Sequence, residues 1–177
     1  MATFIQKLDQ ISAPGTAPKA FLKKLGPIHY SWHLAHNSGG ADTGFLIFHW
    51  ELIVRFKKVG ADAYLGGITP FSPAELSGFN SPYNVNVNVS KQNLTELEDF
   101  SNEIEQWHND AHMNIGMAIH KNLMNAKTNV KIPQFWRLHY FINDRFEEKL
   151  KQYRAAASDT IQQVITGLEA GPGLTVV

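Results

Sequence analysis

Two pairs of histidines with the same spacing are the residues of this chain whose types and positions could do chemistry. His29 and His33 are four residues apart, and so are His108 and His112. On an α-helix this spacing places two imidazoles on one face, about one turn apart. Each pair can therefore hold a metal ion through two nitrogens, which leaves it one ligand short of a three-nitrogen site.

Two single histidines could supply the missing ligands. His49 lies in the segment GFLIFHWELIVRF and His139 in PQFWRLHYFIND, both rich in large apolar residues. A histidine buried there needs a partner, since an unpaired polar group in an apolar core is costly. A metal ion is one such partner. Two pairs and two singles predict two three-histidine sites built from His29, His33, His49, His108, His112 and His139.

Other roles remain open for single histidines. One H-x-x-x-H pair arises often by chance, and histidine is also a common surface or core residue. His36 lies near the end of a predicted helix, where it could cap the helix, face solvent or replace His33 as a ligand. His120 follows His112 by eight residues, roughly on the same helical face, so it either supports a ligand or packs.

The ligand types narrow the choice of metal. Three neutral imidazoles without thiolate or carboxylate suit copper or zinc better than magnesium or calcium. A single zinc ion would need only one set of three, whereas two adjacent sets on four helices describe a dinuclear site in a bundle core. The chain has no cysteine, which excludes disulfides and thiolate ligands and leaves the redox compartment undetermined.

Helical patterns dominate the segments that must position these histidines. Proline and glycine at Gly26-Pro27 and the run 37–40 predict breaks, Asp42 or Thr43 could cap the following helix, and Pro133 suits a first helical turn. A further break is expected at Ser101. The expected helices cover about 1–13, 17–25, 28–36, 43–59, 93–100, 102–125, 133–156 and 158–168.

The remaining part, about 60–91, is rich in proline and paired glycine and is predicted to be a loop-rich insertion. Within it, 84–90 alternates polar and apolar residues, which suits a short strand and an extended surface loop equally. A length of 177 residues suits one domain. We therefore expect an all-α fold with a four-helix bundle core in a single domain, 1–177.

Composition excludes some functions. The formal net charge is zero, so nothing draws the chain to nucleic acid or to an anionic membrane. The first ten residues lack the apolar run of a signal peptide, and no stretch approaches the roughly 20 apolar residues of a membrane span. A cytoplasmic location is the expectation, although a protein exported together with a partner would carry the same sequence.

Several stretches resemble the type 3 copper proteins, which are tyrosinases, catechol oxidases and haemocyanins. Residues 104–116, I-E-x-x-H-N-x-x-H-x-x-I-G, resemble the second copper motif of tyrosinases, especially fungal ones. Residues 133–143, P-x-F-W-R-L-H-Y-F-I-N, resemble the stretch with the third ligand of that copper. The matches of 29–34, HYSWHL, and 44–56, GFLIFHWELIVRF, to the first copper motif are looser. The resemblance covers 28–58 as the first copper motif and 103–147 as the second.

The resemblance implies two copper ions, each held by three histidines, that bind dioxygen. It implies a monooxygenase or oxidase that ortho-hydroxylates monophenols or oxidises o-diphenols or o-aminophenols to quinones. The substrate would be a small phenol or a phenolic side chain. In the tyrosinases that the sequence resembles, residues matching Glu105 and Asn109 hold a water that takes the proton of the phenol, whose pKa is near 10. Otherwise Glu105 is a solvated carboxylate near a helix start and Asn109 a polar helix residue, since haemocyanins also carry an asparagine there.

The chain also departs from the family pattern. Asn143 stands where an aspartate is common, although Asp144 follows, and there is no cysteine for the thioether found in some members. The chain is short and has little beyond the copper-binding segments. An open site, a homo-oligomer or a copper-delivery partner would fit that brevity.

Three other functions stay open. A haemocyanin-like protein would bind dioxygen reversibly without turnover. A carboxylate-bridged di-iron protein would use the Glu-x-x-His signature, which occurs once here, as Glu105-x-x-His108, and normally occurs twice. A metal-storage or purely structural bundle is the third.

Overall fold

A computed structural model describes residues 3–36, 43–85 and 94–155 of the chain. Over these ranges the regular structure is helical and contains no strand, so the all-α prediction is confirmed there. The regular four-helix bundle and the single domain stay predictions. The predicted helix 158–168 and most of the segment 84–90 lie outside the described residues. The helices are α1 Phe4–Ile11, α2 Pro18–His36, α3 Gly44–Lys58, α4 Ala61–Tyr64, α5 Pro73–Gly78, α6 Leu94–Ala118 and α7 Pro133–Ala155, with 3₁₀-helices at Lys121–Met124 and Asn129–Lys131.

Helix α2 is continuous from Pro18 to His36, so the predicted break at Gly26-Pro27 is wrong. Pro27 lies on the exposed side of the helix, where a missing N–H group leaves its carbonyl partner open to water. Gly26 is buried, and a Cβ atom at this position would lie 2.1 Å from the carbonyl oxygen of Lys127. The glycine therefore allows a close approach between α2 and the segment 121–131, and it does not end the helix.

Helix α3 is the most buried of the long helices, as its apolar sequence predicts. Thr43 occupies its N-cap position, but the side chain makes no capping hydrogen bond, so the predicted capping role is wrong for Thr43. Asp42 lies outside the described residues. The buried Arg55 of α3 has two acidic partners, since it forms ion pairs with Glu51 and, at 2.8 Å, with Asp9 of α1. The pair with Asp9 joins α1 to α3.

Helix α6 is one helix of 25 residues, so the predicted break at Ser101 is wrong. The Ser101 side chain is fully buried, which shows that the serine packs inside the helix and does not cap it. The helix ends at Ala118, earlier than predicted, and His120 is already extended, with φ −159° and ψ 101°. The chain then forms the two 3₁₀-helices that lie against α2 and α6.

The segment 60–91 is less irregular than predicted, because α4 and α5 lie within its described part. Helix α5 begins with a capping box between Ser72 and Glu75 and has Pro73 in its first turn. Glu75 also pairs with Arg137 of α7 at 2.9 Å. Helix α7 begins at Pro133, as predicted.

The core is largely aromatic where α3 meets α7. Phe56 and Trp136 stack with ring centroids 3.6 Å apart, and both side chains are fully buried. Aromatic packing of this kind fixes the relative position of two helices that each carry a predicted ligand, His49 and His139. Among the helices that the structure describes, none has both the length and the apolarity needed to cross a membrane.

Candidate metal centre

The six predicted ligands meet in the interior as one group, called here the histidine cluster. Helices α2 and α6 bring two imidazoles each, and α3 and α7 bring one each. In the predicted first set, the ring centroids are 4.6 Å apart for His29 and His33, 5.6 Å for His29 and His49, and 5.4 Å for His33 and His49. Residues from two helices thus converge as their spacing predicts.

The predicted second set is equally close. The ring centroid of His108 lies 4.3 Å from that of His112 and 5.0 Å from that of His139. The centroids of His112 and His139 are 5.5 Å apart. The two sets adjoin each other, because the His49 ring lies 4.8 Å from the His139 ring and 5.5 Å from the His108 ring. All six side chains therefore face one common volume.

Backbone carbonyls orient four of the six rings. The Nδ1–H group of His29 donates to the carbonyl of Ala126 at 3.0 Å, and that of His112 donates to Leu123 at 2.9 Å. A carbonyl oxygen can only accept, so the ring nitrogen must carry the proton. The corresponding bonds on α3 and α7 are His49 to Phe45 at 2.8 Å and His139 to Phe135 at 2.7 Å.

These bonds leave Nε2 as the atom with a free lone pair, which is the usual arrangement of a metal-binding histidine. Nε2 of His49 and Nε2 of His112 are buried and have no hydrogen-bond partner among the described residues. An unpaired nitrogen in a dry interior is costly. Both atoms therefore fit a ligand that the protein alone does not provide.

In the metal-free protein, two pairs of Nε2 atoms are hydrogen-bonded to each other, at distances that a shared metal ion would also require. Nε2 of His29 lies 3.0 Å from Nε2 of His33, and Nε2 of His108 lies 3.2 Å from Nε2 of His139. Two nitrogens bound tetrahedrally to one ion at the usual metal–nitrogen distance would be about 3.3 Å apart. The donor set and its spacing thus fit metal ions.

Ligand-atom distances define two three-histidine groups, in each of which one nitrogen from every ring lies within 4.8 Å of the chosen nitrogens of the other two. One is His29, His49 and His139, and the other is His108, His112 and His139. His139 belongs to both groups, and His33 belongs to neither, although it touches His29. The assignment of three ligands to each of two ions stays a prediction.

Burial keeps the cluster neutral. Loss of solvent, followed by the proximity of other imidazoles, lowers the pKa values of His49, His108 and His139 well below the usual range for histidine. Burial likewise lowers the pKa of His29 well below that range, and those of His33 and His112 to about 4. Neutral imidazole is the form that binds a metal, so these rings need lose no proton near pH 7.

A cleft of about 310 Å³, called here the histidine cleft, opens onto one side of the cluster. Imidazoles from α2 and α6 form its floor, and the segment that follows α6 forms one wall. The lining residues are His29, His33, His108, Asn109, His112, Met113, Leu123, Met124, Ala126 and Asn129. A small molecule in the cleft would reach the ligands of both predicted sets.

The two predicted proton-handling residues lie in different surroundings. Asn109 is exposed and lines the cleft beside His108. Glu105 is half-buried, and its carboxylate lies 3.3 Å from Nε2 of His36. The negative charge of Glu105 also acts on His33, because it opposes the burial that lowers the pKa of that ring. Both residues border the cluster, and their predicted chemical role is untested.

The two remaining histidines lie outside both three-histidine groups. His36 stacks on Trp32 with a centroid distance of 4.3 Å and contacts Glu105. His120 caps the first 3₁₀-helix, where its Nδ1 accepts from the N–H of Asn122 at 3.3 Å. The placement of His120 on one helical face with His112 is therefore wrong, because α6 ends before it.

The carbonyls of Ala126 and Leu123 are parts of the site that sequence reasoning missed. A backbone carbonyl leaves no trace in residue types, so only an indirect signal could have found them. That signal is Gly26, whose close approach to Lys127 brings the 3₁₀ segment against α2. Asn129 supports the same wall, since it is buried and its amide donates to the carbonyl of Leu123 at 3.4 Å.

Comparisons with protein-family models, with curated proteins and with solved structures found no match to this chain. What the site can do therefore follows from the chemistry of its own residues. Groups made of imidazole alone suit zinc, copper, iron and nickel. The geometry supports metal binding by the histidine cluster, and all four of these metals are compatible with its ligand type.

Proposed function

We propose that this protein holds two copper ions in the histidine cluster and uses them to activate dioxygen for the oxidation of phenols. The proposed reactions are ortho-hydroxylation of monophenols and oxidation of o-diphenols or o-aminophenols to quinones. The observation that carries the proposal is the convergence of six neutral imidazoles, five of them buried, beside one cleft. The sequence resemblance to type 3 copper proteins supports it independently.

The charge of the cluster favours copper over zinc. Both three-residue groups consist of histidine alone and bring no negative charge to the ions. Two zinc ions would place four positive charges in this buried volume, whereas two copper(I) ions would place two there. When bound, the copper pair would supply dioxygen with two electrons, one from each ion.

The chain's own contribution is to orient the ligands and exclude water. The Nδ1–H bonds to backbone carbonyls fix four rings with Nε2 inward. The ring centroid of Phe135 lies 3.9 Å from that of His139, and that of Phe45 lies 4.3 Å from that of His49, so buried apolar rings cover both of these ligands. Such packing holds metal ligands in place and limits side reactions with water.

The histidine cleft is the proposed place for the substrate. Its volume of about 310 Å³ lies at the lower end for small-molecule sites, which suits one aromatic ring. A phenol with a pKa near 10 must lose its proton to bind a metal as phenolate, and this calls for a base. We assign that role to Glu105, acting through a water held by the Asn109 amide at the cleft.

Metal analysis followed by oxygen uptake tests the proposal. We expect two copper ions per chain after loading, and oxygen consumption with quinone formation from a monophenol, a catechol or an o-aminophenol. An oxygen-dependent absorption band without quinone would instead support reversible dioxygen binding. Bound iron would support the di-iron alternative, and the absence of retained transition metal would contradict the proposal.

A further inference from the structure

Methionines are exposed beside the histidine cleft. Met113, Met117 and Met124 account for three of the four methionines in the chain, and their side chains are 50%, 65% and 38% exposed. Methionine is among the residues most often buried in proteins. Exposure of three such side chains around one feature calls for a reason other than core packing.

The fold brings these side chains to one place. Met113 and Met117 are four residues apart near the end of α6 and so share a helical face. Met124 packs onto the same stretch, because a Cβ atom on Gly116 would lie 2.5 Å from its Cγ and 3.4 Å from its sulfur. Met113 and Met124 both line the histidine cleft.

Thioether sulfur is a neutral, soft ligand that selects copper(I) and similar ions over hard divalent cations. Methionine has three rotatable bonds, so exposed side chains on neighbouring turns can converge on one ion with little change of backbone. Met113 adjoins His112, which faces both the cleft and the cluster. Met113 and Met124 therefore line the same cleft as the imidazoles of His29, His33, His108 and His112, and Met117 lies one turn from Met113 on α6.

We propose that Met113, Met117 and Met124 form a thioether site that binds copper(I) at the mouth of the histidine cleft and passes it to the cluster. The passage to the cluster rests on the proposed function, whereas the binding of a soft monovalent ion does not. The transfer is a ligand exchange. Copper–sulfur bonds break, copper–nitrogen bonds form, and the oxidation state is unchanged. No proton must leave the rings of His29, His49, His112 and His139, because their Nδ1–H groups donate to carbonyls and their Nε2 atoms already carry lone pairs.

Silver(I) is the probe for the site, since it is a soft monovalent ion without redox chemistry under these conditions. Full-length protein labelled at the methionine methyl carbons is titrated with silver(I) and followed by NMR, with signals assigned through single Met→Leu variants. We expect the signals of Met113, Met117 and Met124 to shift together by one equivalent, and that of Met1 to stay. Zinc(II), which prefers imidazole, controls for indirect effects and should leave Met117 unmoved. Unshifted signals, or equal shifts with zinc(II), would overturn the inference.

The variant M113L/M117L/M124L separates thioether binding from apolar packing, because leucine keeps the apolar surface and removes sulfur. We expect it to lose at least about tenfold in silver(I) affinity, as a lost ligand should cost no less than a lost supporting residue. Unchanged affinity in this variant would overturn the site. Since all three positions are exposed, the fold should tolerate the change.

Copper loading from a copper(I)–bicinchoninate complex separates this inference from the proposed function. The leucine variant should reach the same final copper content as the wild type, but more slowly. If both proteins load two ions at the same rate, copper binding by the histidine cluster is supported and transfer through the methionines is overturned. If methionine signals respond to silver(I) but the cluster retains no copper, the thioether site is supported and the proposed function fails.

Discussion

At the scale of single residues, the cluster depends on hydrogen bonds that point away from its centre. His29 and His112 come from different helices, yet both donate to carbonyls of the segment 121–131. His49 and His139 donate to carbonyls one turn earlier on their own helices. Each bond settles which nitrogen keeps the proton, so the ligand atom is fixed before any metal arrives.

Substitution of His139 tests the shared ligand. His139 belongs to both three-histidine groups, so His139→Gln should lower the bound copper from two ions per chain to one or fewer. His120→Gln is the matched control, because His120 only caps a 3₁₀-helix and should leave the copper content unchanged. Copper is measured after dialysis against a weak chelator. Equal copper contents in the two variants would contradict the assignment.

Substitution of Glu105 tests the proposed base. Glu105→Gln keeps the size of the side chain and removes the basic carboxylate, so hydroxylation of a monophenol should fall by about 10²-fold or more. Oxidation of a catechol should fall less, and copper content should stay the same. Glu103→Gln, an exposed carboxylate two residues earlier on α6, is the control. An equal loss with both substrates would argue against a role in proton removal.

Helical periodicity predicted that each pair of histidines four apart would share one face, and the apolar segments around His49 and His139 predicted that these two rings would be buried. All six rings lie in the cluster, and their role as metal ligands stays a prediction. Spacing could not predict that His139 would lie within reach of both groups, since this depends on how α7 packs against α3. It also could not separate His36 from His33. In the structure the His33 ring contacts His29 at 3.0 Å, whereas the His36 ring contacts Glu105 at 3.3 Å.

At the scale of elements, a contact between α2 and the segment 121–131 positions one side of the cluster. Gly26 permits the contact, and the carbonyl of Ala126 then meets His29 three residues further along α2. The sequence pattern Gly26-Pro27 favoured a helix break because both residues weaken helices in isolation. Burial of Phe21 and Leu25 beside it offsets that preference.

Gly26→Ala should therefore weaken both the fold and the site. The new Cβ atom would lie 2.1 Å from the Lys127 carbonyl, and overpacking of this kind costs about 1–3 kcal/mol or more. Displacement of the adjacent Ala126 should also reduce copper retention. Gly78→Ala, which meets nothing within 4 Å, should change stability by less than about 1 kcal/mol and leave copper binding intact. Urea denaturation and copper analysis of both variants give the comparison, and similar results for the two would contradict the contact.

Element boundaries were the least predictable part of the fold. Ser101 resembles a capping residue, yet it is buried inside α6 because the neighbouring Phe100 and Ile104 carry the helix into the core. No strong capping or helix-breaking residue marks the end of α6 at Ala118. The sequence therefore predicted a longer helix that would have included His120. The helical conformation around the six predicted ligands was predicted correctly, since apolar periodicity decides it, although the bounds of α2 and α6 were not.

At the scale of the whole molecule, the metal-free protein must bury imidazoles whose nitrogens lack partners. Nε2 of His49 and of His112 are examples, and the protein accepts that cost in its interior. Metal binding would remove it, so the loaded protein should be more stable than the metal-free one. The same burial makes the metal-free fold sensitive to acid.

The stability of the metal-free protein should fall as the pH drops from about 6.5 through about 4. Burial lowers the folded-state pKa values of His33 and His112. In this pH window the two imidazoles are therefore protonated in the unfolded chain but remain neutral in the folded one, which favours unfolding. Each such histidine adds up to about 1.4 kcal/mol per pH unit to the slope. Urea denaturation at several pH values measures it. His112→Gln should show a shallower fall, and an equally steep fall in that variant would contradict the assignment.

The pairing of two metal ions within the histidine cluster is tested most directly by anomalous diffraction at the copper absorption edge from crystals of the copper-loaded protein. We expect two copper peaks inside the cluster, each bound by Nε2 atoms of three of the six histidines. A single peak, or copper bound only outside the cluster, would contradict the proposed dinuclear centre.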